Sequence, residues 1–168
     1  MALDVLTPKG QESIGWEDAA VELWSARFPR FAYTHTPKGK PAKADAMLVC
    51  GQQLHAVVEM KCRPNLTHKT LMGPFKGRWL VTFQKIIDCV RAAELLALPF
   101  VGMLYLVDED ILLWKKLWTP EDGYTTEFGV LKTDTQATIN GGTATRDNAY
   151  IDMRDAHIIR RSRVAETP

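Results

Sequence analysis

Cysteine is scarce and odd in number: Cys50, Cys62 and Cys89 stand at none of the spacings that hold a metal or a disulfide framework. Each lies beside apolar residues, so reduced, partly buried thiols and a cytoplasmic location are expected. No apolar run reaches the length of a membrane span. The opening MALDVLTPKG lacks the basic stretch and apolar core of a secretory signal. Internal repeats, heptads and a phosphate-cradling glycine fingerprint are also missing. The four histidines, His35, His55, His68 and His157, are too far apart in sequence to read as a metal cluster. What remains is ordinary for a globular protein: 168 residues, 46% hydrophobic and 24% charged, enough for one domain over 1–168 with a real core.

A net charge of only +1 hides an uneven distribution. Residues 27–91 carry twelve Lys and Arg against three acids, Asp45, Glu59 and Asp88, a balance of +9. The rest of the chain carries nine against seventeen, a balance of −8. A positive field around a few acids suits a polyanionic partner such as nucleic acid, although some of these lysines could simply solvate loops.

Two of those three acids fall in KADAMLVCGQQLHAVVEMKCR, residues 43–63. Two apolar runs of strand character flank Gly51-Gln52-Gln53, which reads as a three-residue hairpin loop. Pairing Cys50 with Leu54 across that loop sets Asp45 opposite Glu59, and Lys61 lies on the same strand face as Glu59. An acid-x-lysine triplet alone is expected about once in a chain of this composition, and a solvated strand face would explain it. The register is what singles it out. Like charges placed across a sheet repel, so the pair calls for a compensating cation, and a divalent metal bound through oxygen is the obvious one.

Around this hairpin the periodicity predicts a helix over 11–28, with Glu17, Ala20, Val21, Trp24 and Phe28 on one face. A carboxylate on an apolar face is costly, so Glu17 is expected to meet a cation or a metal, unless it is solvated at the edge of the stripe. Glu12 and Glu22 read as exposed. A strand is predicted over 31–36, a basic Pro/Gly loop over 37–43, and a polar connection from Pro64 to residue 78. A second helix is predicted over 79–97, its core stripe running from Trp79 through Phe83, Ile86, Val90 and Ala93 to Ala97. Gln84, Asp88 and Arg91 form a polar row beside it. Residues 100–107 are almost wholly apolar and read as a strand covered on both faces, followed by a turn at 108–110 and a strand over 111–118. Trp114 and Trp118 fit either core or an interface. Residues 119–150, rich in Thr, Gly, Asp and Asn with a turn at Asn140-Gly141-Gly142, read as a hairpin, a flap or a flexible loop. AYIDM reads as a short strand, and 160–168 as a basic tail through Arg160, Arg161 and Arg163. The order α-β-β-β-α-β-β predicts an α/β fold, a central mixed sheet flanked by helices.

This pattern resembles the PD-(D/E)XK nuclease superfamily over roughly residues 12–118. The residues that carry the likeness are Glu17 on the first helix, Asp45 on one strand, and Glu59 and Lys61 on the next. Gln84 resembles the polar residue many members place on the following helix. Ala44 rather than proline precedes Asp45, as in many members. The resemblance implies a restriction endonuclease-like core and Mg²⁺-dependent hydrolysis of DNA phosphodiesters, with Mn²⁺ able to substitute. It implies that Asp45, Glu59, the Met60 carbonyl and Glu17 ligate the metal. Lys61 would orient or deprotonate the attacking water or stabilise developing charge, and Gln84 would position water or phosphate. Compact size and spread basic charge fit a structure-selective endonuclease, such as a homodimeric Holliday junction resolvase acting on branched DNA in recombination or repair. The basic residues expected to face DNA are Lys38, Lys40, Lys43, Arg63, Lys76 and Arg78. His55 shares the parity of Glu59 and Lys61 and could flank the site. The alternatives are a nucleic-acid-binding module of the same fold that does not cut, and a nuclease acting on DNA ends.

Overall fold

A computed structural model describes residues 6–40, 42–138 and 141–161. Helix α1 spans Pro8–Arg27. Thr7 caps it by accepting from the Gly10 N–H at 3.1 Å, and proline occupies its first turn, where no backbone donor is needed. Of its predicted stripe Ala20 and Trp24 are covered and Val21 and Phe28 half-buried; Leu23, outside that stripe, is covered too. Trp24 donates to the Phe31 carbonyl at 2.9 Å and packs with Phe28 and, edge-on, with Trp114. Trp114 and the buried Trp118 therefore serve the core.

The central sheet runs β1(Ala32–His35)-β2(Ala46–Cys50)-β3(Gln53–Arg63)-β5(Phe100–Leu106)-β6(Ile111–Thr119)-β10(His157–Arg160), with β7(Gly123–Tyr124) paired to the end of β6. Only β3 and β5 are parallel, so the sheet is mixed and the fold is α/β. Strand β5 is buried along its whole length, as its unbroken apolar run predicts. Residues on one sheet face pack under α1, and those on the other pack under α3(Phe83–Leu96) and a second sheet. The predicted turn at 108–110 includes the end of a 3₁₀ turn, Val107–Glu109.

The second sheet overturns one expectation and, of the readings open for 119–150, shows the hairpin. Residues 79–82 are not the start of a helix but part of strand β4(Arg78–Thr82), and α3 begins directly after it at Phe83. The connection before it holds a short helix, α2(His68–Met72), capped by Thr67. Residues 128–152 form a long hairpin, β8(Phe128–Thr138) with β9(Gly141–Asp152), and AYIDM lies largely within β9. Strand β4 joins this hairpin in the order β4-β9-β8. Trp79 misled the helical reading because it is buried in either state; its partners Val81, Ala149 and Ile151 show a strand's alternation instead. The sheet is docked through Gly102 on β5, where a Cβ would lie 2.8 Å from the Trp79 ring and 2.6 Å from Leu117.

The loop of the β2–β3 hairpin also differs from expectation. It is a two-residue turn, Gly51-Gln52, with Gly51 at φ 60°, and Cys50 pairs with Gln53. His55 is then an extra residue on β3, and the register from Leu48↔Ala56 onward is the predicted one. The bulge thus restores Asp45 to its place beside Glu59, but it removes His55 from their face: His55 packs edge-on against Phe31. Of the predicted basic tail, Arg160 lies in β10 and Arg161 pairs with Asp110 and Glu22. Arg163 and the rest of 162–168 lie outside the described residues, as does Asn140.

Candidate active site

Asp45 sits one residue ahead of β2 and is pinned from both sides. Its N–H donates to the Val58 carbonyl at 3.0 Å, and its carbonyl accepts from the Thr36 N–H and hydroxyl at 2.9 Å each. Beyond the end of β2 its side chain takes over the role of a ladder partner, Oδ2 accepting the Met60 N–H at 3.0 Å. A strand residue's N–H and C=O leave on the same side, so the Met60 carbonyl emerges toward Asp45. Glu59 is fully buried on the face turned toward α3.

Two ammonium groups bind this acid pair. Lys61 Nζ is 2.5 Å from Glu59 Oε1 and 4.0 Å from Asp45 Oδ2. Lys85 Nζ is 3.3 Å from Glu59 Oε2 and 3.4 Å from Asp45 Oδ1. The compensation expected of a divalent metal is supplied here by two lysines, which balance the pair when both carboxyls are ionised. Cys89 approaches Glu59 Oε2 at 4.0 Å, and its thiol also donates to the Lys43 carbonyl.

The electrostatics follow from burial and these contacts. Burial alone would raise the pKa of Asp45, but Lys61, Lys85 and the Met60 N–H outweigh it and hold the carboxyl below its ordinary range. Glu59 is pushed up to about 7 by burial and by the Asp45 charge, against the opposing pull of Lys61 and Lys85. Burial works against the charged form of Lys61, yet Glu59 and Asp45 hold its pKa above the ordinary lysine value.

The quartet opens on a cleft of about 910 Å³ that Asp45, Met60 and Lys61 line from below. One wall is the N-terminal half of α1, including Glu12 and Glu17; the other is β4 with the far end of the hairpin, including Arg146. Glu17 shares the cleft but does not join the acid pair. Its Oε2 lies 2.6 Å from Lys38 Nζ and 3.8 Å from His35, so the cation it meets is a lysine. Gln84 is one residue off: it is exposed and donates to Asp88 at 3.2 Å, while its neighbour Lys85 reaches the acids. Lys85 is the site residue that sequence reasoning missed. The only sequence signal was a cation next to the core residue Ile86 and one helical turn before the buried Cys89.

The expected DNA-facing cations separate into groups. Lys38 is held by Glu17 and Lys43 by Asp88, at 3.3 Å. Lys40 is exposed. Arg63 lines the cleft, and Lys76 and Arg78 line a separate depression on the small sheet. His157 stacks on Trp114, and no histidine contacts the acid pair. Among the described residues no three His, Cys, Asp or Glu side chains converge as a metal cluster, and no helix is long and apolar enough to cross a membrane. The donor chemistry of the acid pair nevertheless suits a hard divalent cation: two carboxylates and a backbone carbonyl on one side of β3. Comparison of the chain with protein-family models, with curated proteins and with solved structures finds no match.

Proposed function

We propose that this chain is a Mg²⁺-dependent nuclease with a restriction endonuclease-like core, cutting within DNA, with branched DNA as the preferred form. One observation carries the reading. Asp45, just ahead of β2, and Glu59 on β3 share one lysine, Lys61, from the Glu-x-Lys strand, at the floor of an open cleft. Asp45, Glu59 and the Met60 carbonyl would hold Mg²⁺ or Mn²⁺. Bound there, the ion would supply an activated water and neutralise charge on the scissile phosphate. Without metal, Glu59 and Asp45 hold Lys61 protonated; beside the ion it would orient or deprotonate the attacking water, or donate to a phosphate oxygen. Lys85 neutralises the two carboxylates in the absence of metal, a place the ion would take, and Arg63 offers the backbone a charged contact at the cleft wall. A homodimer would place two such sites on two strands.

A second reading, a nucleic-acid-binding module that does not cut, is favoured by one feature: the acid pair is already neutralised by Lys61 and Lys85. One assay separates the two. The protein is incubated with plasmid, linear duplex, single-stranded and four-way-junction DNA in Mg²⁺, Mn²⁺ or EDTA. Metal-dependent cleavage, reduced at least about 100-fold in Asp45→Ala and Lys61→Ala while DNA binding is retained, supports the nuclease. Absence of cleavage on every substrate, or normal cutting by Lys61→Ala, refutes it.

A further inference from the structure

The outer face of the small sheet lines the cleft at one end only, through Leu80, Thr82 and Arg146. Trp79, Val81, Ala149 and Ile151 point into the core, so Arg78, Leu80 and Tyr150 point the opposite way. The register sets Leu80, Tyr150 and Gly129 side by side across three strands. A Cβ placed at Gly129 would meet nothing within 4 Å, so the space beside Tyr150 on the β8 side is open. Tyr150 is half-buried, and its hydroxyl lies 3.4 Å from that of Thr133. Leu131 is 57% exposed on the same face.

Cations rim this apolar strip. Lys76, Arg78 and Arg154 border a depression of about 430 Å³ that contains Tyr150 and Leu131. Its acids are Glu127 and Asp152, and the latter is held by Arg154 at 2.5 Å. Gly77 permits this placement of Arg154, since a Cβ there would lie 2.4 Å from its side chain. The face then continues into the cleft, whose wall includes Leu80, Thr82 and Arg146. From Arg78 to Thr82 is about 13 Å along β4. The chain then enters α3, which carries Lys85 to the acid pair.

We infer that this face is a platform for a single strand of nucleic acid, with Tyr150 as the stacking residue and Arg78 and Lys76 as phosphate contacts, leading the strand toward the cleft. Its role as a path to a cutting site rests on the nuclease reading; the binding itself does not. Cations beside a half-buried ring, the partly covered Leu80 and the exposed Leu131 match the two things a single strand presents, backbone charge and bare base faces. A duplex hides its base faces, so it could use only the cations.

The test is the anisotropy of a fluorescent single-stranded oligonucleotide, and of the same sequence as duplex, titrated with the full chain in EDTA. The single strand is expected to bind more tightly. Tyr150→Ala should weaken single-strand binding roughly 5- to 150-fold and leave duplex binding little changed. Arg78→Ala should reduce the salt dependence of single-strand binding by about 0.7 in log–log slope. Gly129→Val, on ordinary backbone and in open space, should fold and fill the place beside Tyr150, giving a similar loss. If Tyr150→Ala and Gly129→Val both bind the single strand within about twofold of wild type, or if both forms of DNA lose affinity equally, the platform is wrong. Metal is withheld throughout, so an inactive protein would overturn the nuclease reading and leave this one standing.

Discussion

Replacing Glu59 with glutamine isolates the charge that the fold tolerates least. Glu59 is fully buried, and its carboxyl is pushed up to about 7 from an ordinary 4.5, first by burial and then by Asp45, with Lys61 opposing. A folded-state pKa above the unfolded value means that the native protein holds a proton which the unfolded chain has released. Between about pH 4.5 and 7 the native state therefore binds more protons, and stability falls as pH rises. The full difference corresponds to at most about 3 kcal/mol, or about 6–12 °C in melting temperature for a chain of this size. Carboxyls held below their ordinary range, Asp45, Asp110 and Asp152, act in the opposite direction and only at lower pH. The assay is urea unfolding in EDTA at half-unit steps from pH 5 to 8, for wild type and Glu59→Gln. The wild type should lose stability across the interval relative to the variant, and the difference should level off above pH 7. Parallel profiles, or a wild type that gains on the variant as pH rises, would show that Glu59 is ionised at little cost and that the quartet is better solvated than its burial implies.

Two further outcomes follow from the same contacts. Gly102→Ala drives a methyl into Leu117 and the Trp79 ring, at 2.6 and 2.8 Å, and should cost about 1–3 kcal/mol in urea unfolding; an unchanged midpoint would mean the small sheet is not docked through this glycine. Lys85→Met removes one of the two ammoniums on the acid pair, so at pH 8 calorimetry should show Mn²⁺ binding about tenfold tighter than in wild type. Weaker binding in Lys85→Met would show that Lys85 assists the ion rather than competing with it.

How much of this could be read from the chain depended on which interactions set each element. The amphipathic stripe of α1, the doubly covered β5 and the pairing of Asp45 with Glu59 all follow from periodicity, which tertiary contacts reinforced. The pairing was right for a reason the periodicity does not contain. The tighter turn at Gly51-Gln52 shifts the register by one, and the bulge at His55 shifts it back, so the strand face of Glu59 was legible while that of His55 was not. The junction at Thr82–Phe83 was illegible for a different reason. Trp79 continues the helical spacing of Phe83 and Ile86, and it is the distant β9 that makes residues 78–82 a strand. Within α3, Lys85 reaches the acids while Gln84 is exposed and bonds Asp88, a difference that the polar row of Gln84, Asp88 and Arg91 does not contain.

The charge split shows the limit of counting along a chain. Residues 27–91 hold a balance of +9, yet that excess is not a field of free cations. Lys61 and Lys85 are committed to Asp45 and Glu59, Lys43 to Asp88, and Lys38 to Glu17, which lies outside the window. Folding thus takes every acid in the window and four of its cations into ion pairs. Arg63, Lys76 and Arg78 have no ion pair among the described residues. These three lie on the cleft wall and the small sheet. The positive surface available to a polyanion is therefore smaller than the count suggests. Part of it, Arg63 and Arg78, lies on β3 and on the strand that the helical reading concealed, and the same strand leads into the helix that carries Lys85 to the acid pair.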